Sequence, residues 1–204
     1  MRVTLDQVGH RFPGHPWLFQ NLTITLEPSV VYGLVGPSGS GKSTLLSLLA
    51  GMAEPAAGGI SRSSDESIGW VFQNPHGVAR RTTLDHVTLP LLAKGLTRAD
   101  ADAAGLRLLG EVGLSSLAGR QFGHLSGGEA QRLMLARGIA MAPGMLLVDE
   151  PTAQLDQHTA GEVNAVLAKL SQSGAVVVVA THDSRTKDAC HQVIDLGSAT
   201  YADS

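Results

Sequence analysis

Val30-Val31-Tyr32-Gly33-Leu34-Val35 runs directly into Gly36-Pro37-Ser38-Gly39-Ser40-Gly41-Lys42-Ser43-Thr44, and this junction decides the fold. The first six residues carry no charge and read as a parallel strand buried on both faces. The nine that follow fit a phosphate-binding loop. Their glycines let the backbone turn so that successive N–H groups converge, and the helix beyond adds its positive end. Lys42 is placed to reach β- and γ-phosphates, and Ser43 to offer its hydroxyl to Mg²⁺. A flexible Gly/Ser loop would share this composition, but not the strand before it or the helix expected over 43–50, closed by Gly51. Together these elements imply a chain that binds a nucleoside triphosphate.

Outward from the junction, two more apolar runs read as buried parallel strands, Met145-Leu146-Leu147-Val148 and residues 175–180. The N-terminal stretch differs: Val3 and Leu5, then Leu22, Ile24 and Leu26, alternate with polar residues as half-buried antiparallel strands do. Residues 10–16, with two prolines and a glycine, read as the loop between them. Thr97-Arg98-Ala99-Asp100 resembles a capping box opening a helix that closes near Gly113. A helix over 129–141 is marked by Leu133, Ala136, Arg137 and Ala140 and stops before Pro143; Val163, Val166, Leu167 and Leu170 mark another, ended by Gly174. Alternating strands and helices predict an α/β fold with a parallel sheet. The stretch from about 76 to 140 holds no strong strand and reads as a helical insertion in a single domain spanning 1–204.

Composition narrows the function. Hydrophobic residues make up 43% of the 204 and aromatics 4%, so the core is mostly aliphatic. Eighteen acidic against fifteen basic residues leave a net charge of −3, which argues against a general nucleic-acid binder. The single cysteine, Cys190, cannot form an internal disulfide, fits a reducing compartment and reads as a small, partly buried hydrophobe. The opening residues lack the apolar segment of a signal peptide, and no apolar run approaches the roughly 18 residues of a membrane span. A cytosolic protein is expected; if it serves a membrane, another chain supplies the crossing. His10, His15, His76, His86, His124, His158 and His191 show no zinc-ligand spacing and read as solvated or packing residues.

A second acidic site follows from the strand that ends in Asp149-Glu150. An Asp at the end of such a strand holds Mg²⁺ in enzymes with this loop, and Glu150, one residue on, can act as general base toward an attacking water. An acidic turn after a strand is the plain alternative, and the phosphate loop weighs against it.

Leu125-Ser126-Gly127-Gly128-Glu129-Ala130-Gln131-Arg132 resembles the signature motif of ATP-binding-cassette (ABC) ATPases. The supporting segments occur in that family's order. Gln73 in Val71-Phe72-Gln73 resembles the Q-loop, Ala153-Gln154-Leu155-Asp156 the D-loop, and Thr181-His182-Asp183 the switch histidine. Phe12 stands where the family places an aromatic against adenine. The resemblance runs from about residue 3 to 197 and implies an ABC cassette: a RecA-like parallel-sheet core, an N-terminal antiparallel β subdomain and a helical signature subdomain. It implies ATP and Mg²⁺ as cofactors. Nucleotide contacts would come from Phe12, Gly36, Pro37, Ser38, Gly39, Ser40, Gly41, Lys42, Ser43, Thr44, Ser126, Gly127, Gly128, Glu129 and Asp156. Metal contacts would come from Ser43, Gln73 and Asp149, and the chemistry from Lys42, Gln73, Glu150 and His182. Ser126 to Glu129 is also a plain S-x-x-E capping box, and the two readings are compatible, since a helix opening on Gly-Gly lets a phosphate approach its N–H groups closely. In the family this helix end meets the γ-phosphate held by a partner copy, so the motif implies a head-to-tail homodimer.

Two departures stand out. Ser29-Val30 occupies the place of the family's usual Gly-Glu, and Ala153-Gln154 that of Ser-Ala. Neither removes a phosphate or metal ligand. Residues Thr83 to Gly95 resemble the corresponding helix of the lipoprotein-release and macrolide-exporter class, which also includes antimicrobial-peptide and haem exporters. Arg80 and Arg81 precede it and suit either acidic residues of a permease loop or solvent. The expectation is an ATPase subunit on the cytoplasmic face of a membrane, energising a separate integral-membrane permease, with no nucleic acid bound. A cell-division-type gating module and a soluble DNA- or ribosome-associated ATPase are the competing readings.

Overall fold

The computed structural model describes residues 1–153, 155–172 and 174–197, without the side chains of 158 and 170–172. Gln154 and the side chains of His158 and Leu170 therefore lie outside the described residues. In chain order the elements are β1 (Val3–His10), β2 (Phe19–Leu26), β3 (Val31–Val35), α1 (Lys42–Ala50), β4 (Ala57–Arg62) and β5 (Ile68–Val71). Then come α2 (Thr83–Ala93), α3 (Arg98–Glu111), α4 (Gly127–Ala140), β6 (Met145–Asp149), α5 (Gln157–Gln172), β7 (Val176–Ala180), α6 (Ser184–Asp188) and β8 (Gln192–Asp195).

Among the described residues the strands form two sheets. β1 is the antiparallel centre of one, in the order β2-β1-β4. Val3 pairs with Leu26 and Leu5 with Ile24, the alternation expected from the sequence. The register then slips, with Gln7 and Asn21 at positive φ, so that His10 faces Phe19. β4 has no counterpart in the apolar pattern of the sequence. Its Gly58 sits at φ +73, and a Cβ there would lie 2.3 Å from the Asp6 carbonyl oxygen, so only glycine can follow β1 at this approach.

The other sheet is parallel throughout, in the order β5-β6-β7-β3-β8. β6 and β7 are buried along their whole length because each face meets a different core. Val177 and Val179 join Leu133 of α4 and Val163, Val166 and Leu167 of α5. Val176, Val178 and Ala180 join Leu45, Leu46, Leu48 and Leu49 of α1, together with Val3, Leu5 and Phe19 of the antiparallel sheet. The buried Tyr32 ties the two sheets together, its hydroxyl accepting the Glu27 N–H at 2.7 Å.

The helical insertion falls between β5 and β6, as α2, α3 and α4 with two short 3-10 turns. Thr97 caps α3 by accepting the Asp100 N–H, as its sequence predicts, and Thr82 caps α2 in the same way. Because β3, β7 and β6 are neighbours, the segments leaving their C-terminal ends converge on one edge, where ligands of open parallel sheets bind.

Candidate functional site

The loop between β3 and α1 turns through Gly36, Gly39 and Gly41, all at positive φ, which winds its backbone into a cradle. A Cβ on Gly41 would press within 3.0 Å of the Phe19 ring. Lys42 folds back over the cradle, its Nζ donating to the carbonyls of Gly36 at 2.8 Å and Pro37 at 3.2 Å. Ser43 Oγ donates to Asp149 Oδ2 at 2.9 Å, which brings the first turn of α1 against the end of β6. Burial pushes Asp149 above the ordinary carboxylate range; the Ser43 hydrogen bond and Lys42 pull it down, and neighbouring Glu150 adds to the rise.

Glu150 stands just past β6 at φ 48, held there as its N–H donates to the Ala180 carbonyl. Its carboxylate turns toward the segment leaving β7, with Oε1 2.8 Å from His182 Nδ1 and Oε2 accepting the His182 N–H at 3.4 Å. The His182 segment is fixed in turn by Asp183, which caps α6 and grips Arg185 through both oxygens. Beside it, the buried hydroxyls of Thr152 and Thr186 meet at 3.1 Å.

One cleft of about 700 Å³ takes in most of the predicted residues. Phe12, Gly36, Pro37, Ser38, Gly39, Gly41, Lys42, Ser43, Thr44, Gln73, Asp149, Glu150 and His182 all line it. Leu18 lines it too; nothing in the local pattern of that loop marks a leucine as a site residue. Ser40 instead faces an adjoining cleft of about 430 Å³ with His15 and Trp17.

Two predicted groups stand apart from the cleft lining. Ser126 is the N-cap of α4 in a full capping box: its Oγ accepts the Glu129 N–H, and its own N–H donates to Glu129 Oε2 at 2.7 Å. That backbone hydrogen bond holds the Glu129 carboxyl below its usual range. Ser126 and Gly127 are exposed, so the helix start faces outward. Asp156 accepts the Thr159 N–H and hydroxyl at the start of α5. Gln131, which spacing alone did not single out, is buried, and its amide donates to the Phe72 carbonyl beside Gln73 at 3.3 Å. α4 is thereby linked to the Gln73 segment.

Chemically the cleft suits a polyanion. It combines a backbone cradle, a lysine, a hydroxyl and carboxylate of the kind a hard divalent cation prefers, and a second carboxylate beside a histidine. The remaining residues of interest are structural in this geometry. His191 Nδ1 accepts the Val31 N–H, and His86 is buried with Nε2 accepting the Val78 N–H.

Residues 19–153 match the family described as ABC transporter. The lipoprotein-releasing system ATP-binding protein LolD of Anaeromyxobacter dehalogenans is 36% identical, over 88% of this chain and 82% of that protein. The LolD of Chromohalobacter salexigens is 39% identical over the same shares, 88% and 82%. Among solved structures, the dimeric ATP-binding cassette MJ0796, in a post-hydrolysis state bound to ADP and Pi, matches with a TM-score of 0.83 and 28% identity. That match covers 96% of this chain and 95% of the other.

Proposed function

This chain belongs to the ABC transporter family, and from that premise we propose that it works as a pair of identical copies energising a separate exporter permease. It is the ATP-binding, ATP-hydrolysing subunit of such a transporter, similar to the lipoprotein-releasing class. The observation that carries the proposal is a division of labour. One cleft gathers the phosphate loop, Asp149, Glu150 and His182, while the Ser126 end of α4 is exposed and outside the cleft's lining. The missing donors for a γ-phosphate would come from Ser126, Gly127, Gly128 and Glu129 of a second copy, with Asp156 near the seam.

In this reading Lys42 releases the carbonyls of Gly36 and Pro37 to hold β- and γ-phosphate oxygens, joined by the N–H groups of residues 36–44. The adenine stacks on Phe12. Ser43 Oγ and Asp149 Oδ2, 2.9 Å apart, with Gln73 lining the same cleft, would hold Mg²⁺, which would supply charge neutralisation for the phosphates. Glu150 accepts a proton from a water whose oxygen attacks the γ-phosphorus, while the bond to the bridging oxygen of ADP breaks. His182 turns from Glu150 to the γ-phosphate. Closure of the pair on ATP and reopening after hydrolysis is the motion passed to the permease.

Permease docking is proposed at a third, mostly apolar cleft of about 640 Å³ beside the Gln73 segment, lined by Val78, Arg81, His86, Leu89, Pro90 and Met141. No helix among the described residues is long and apolar enough to cross a membrane. Residues 1–204 are read as one domain with the helical part at about 76–140, seated on the cytoplasmic face.

Glu150→Gln tests the pairing. With Mg²⁺ and ATP the variant is expected to sediment as a dimer and with ADP as a monomer. A monomer under both conditions, with ATP bound, would contradict the shared site.

A further inference from the structure

We infer that His10 is a positioning residue for nucleotide binding, its buried ring holding Phe12 as a preformed platform for the base. This rests on the reading of Phe12 as the adenine contact. Phe12 lies on the irregular segment between β1 and β2 and is 51% exposed, facing both the nucleotide cleft and the adjoining one. A ring so placed would sample several rotamers, and ordering it on binding would weaken affinity.

Two features remove that freedom. The backbone is set by a turn: the His15 N–H donates to the Phe12 carbonyl at 3.0 Å, with Pro13 next and Gly14 at φ 77, the residue pattern of a type II turn. The ring itself is set by His10, which closes the base of the loop as its carbonyl accepts the Leu18 N–H. His10 is 9% exposed, and its ring lies edge-on to Phe12, with centroids 5.4 Å apart and planes at 87°. That is the favoured geometry for an aromatic pair. His10 Nδ1 has no hydrogen-bond partner among the described residues, so no polar contact at that nitrogen explains the ring's orientation. His10 does not line the nucleotide cleft, so it acts through Phe12.

The test compares binding of Mg-ATP with binding of magnesium tripolyphosphate, which lacks the base, by calorimetry. His10→Ala is expected to weaken ATP about 3- to 10-fold, the range of an aromatic pair, and leave tripolyphosphate unchanged. KM for ATP should rise with kcat held, and His10→Phe should return KM to the parental value. An equal loss for ATP and tripolyphosphate would overturn the inference, because His10 would then act on the fold at large. Unchanged ATP affinity in His10→Ala would also overturn it, provided Phe12→Ala weakens ATP. If Phe12→Ala leaves ATP affinity intact, the adenine assignment itself falls.

Discussion

His182 engages the Glu150 carboxylate through two atoms, its Nδ1 2.8 Å from Oε1 and its N–H donating to Oε2 at 3.4 Å. Glu150 is 10% exposed and His182 69%, so the histidine covers the carboxylate from the open side. On the proposed reading, the pair sets the general base beside the group that contacts the γ-phosphate. His182→Ala is therefore expected to lower kcat about 10²–10³-fold with ATP affinity within about threefold of the parent. Steady-state kinetics beside equilibrium binding would check this, and a variant with near-parental kcat would contradict the role of His182.

Asp149 carries a stability cost from its burial. Its burial raises the folded-state pKa above the unfolded value near 3.8. The folded chain then binds more protons than the unfolded chain between those two values. Stability falls as pH rises through that window, and the penalty is fully present above it. Asp149→Asn, which can still accept from Ser43, should melt higher than the parent at neutral pH without nucleotide. The difference should shrink as the buffer is acidified. The same variant should lose the Mg²⁺ dependence of ATP binding. Thermal melts at a series of pH values test the sign.

Ser29 sits at φ 64 at the turn into β3, where the family's usual residue is glycine. Its N–H donates to the Ala175 carbonyl, which a glycine would keep. Ser29→Gly should relieve the left-handed strain at the cost of extra unfolded-state freedom, a net gain of about 0.5–1 kcal/mol. The corresponding rise in Tm is about 1–4 °C. Ser29→Ala, equally strained, should give no rise.

Cys190 is half-buried, its Sγ donating to the Thr186 carbonyl at 3.1 Å, and burial pushes the thiol up to about 11. At pH 8 about one thiol in a thousand is thiolate, so a disulfide reagent should label the native chain slowly and the denatured chain at once. Rapid labelling of the native chain would contradict this placement.

Much of this architecture is legible in local pattern, for physical reasons. Strands buried on both faces are built almost wholly of apolar residues, so β3, β7 and β6 as far as Val148 announce themselves as apolar runs. The caps at Thr97 and Ser126 are equally plain, because a hydroxyl is needed where helix N–H groups lack partners. β4 is hidden, since Gly58 and Gly59 are chosen for close approach to β1 rather than for strand propensity. β8 is a short edge strand with one buried residue, too little for periodicity to register. At the site, the phosphate loop reads from its own residues. The contacts of Ser43 with Asp149 and of Glu150 with His182 depend on strand order, which local pattern does not encode. The outward facing of Ser126 is likewise a property of the assembled fold.

Steady-state ATPase activity per subunit, measured from dilute to concentrated protein, tests the shared site most directly. It is expected to rise with concentration and then level off if, as proposed, Ser126 to Glu129 of one copy completes the cleft of the other. Full activity per subunit at every concentration, in protein that sediments as a monomer throughout with ATP present, would contradict it.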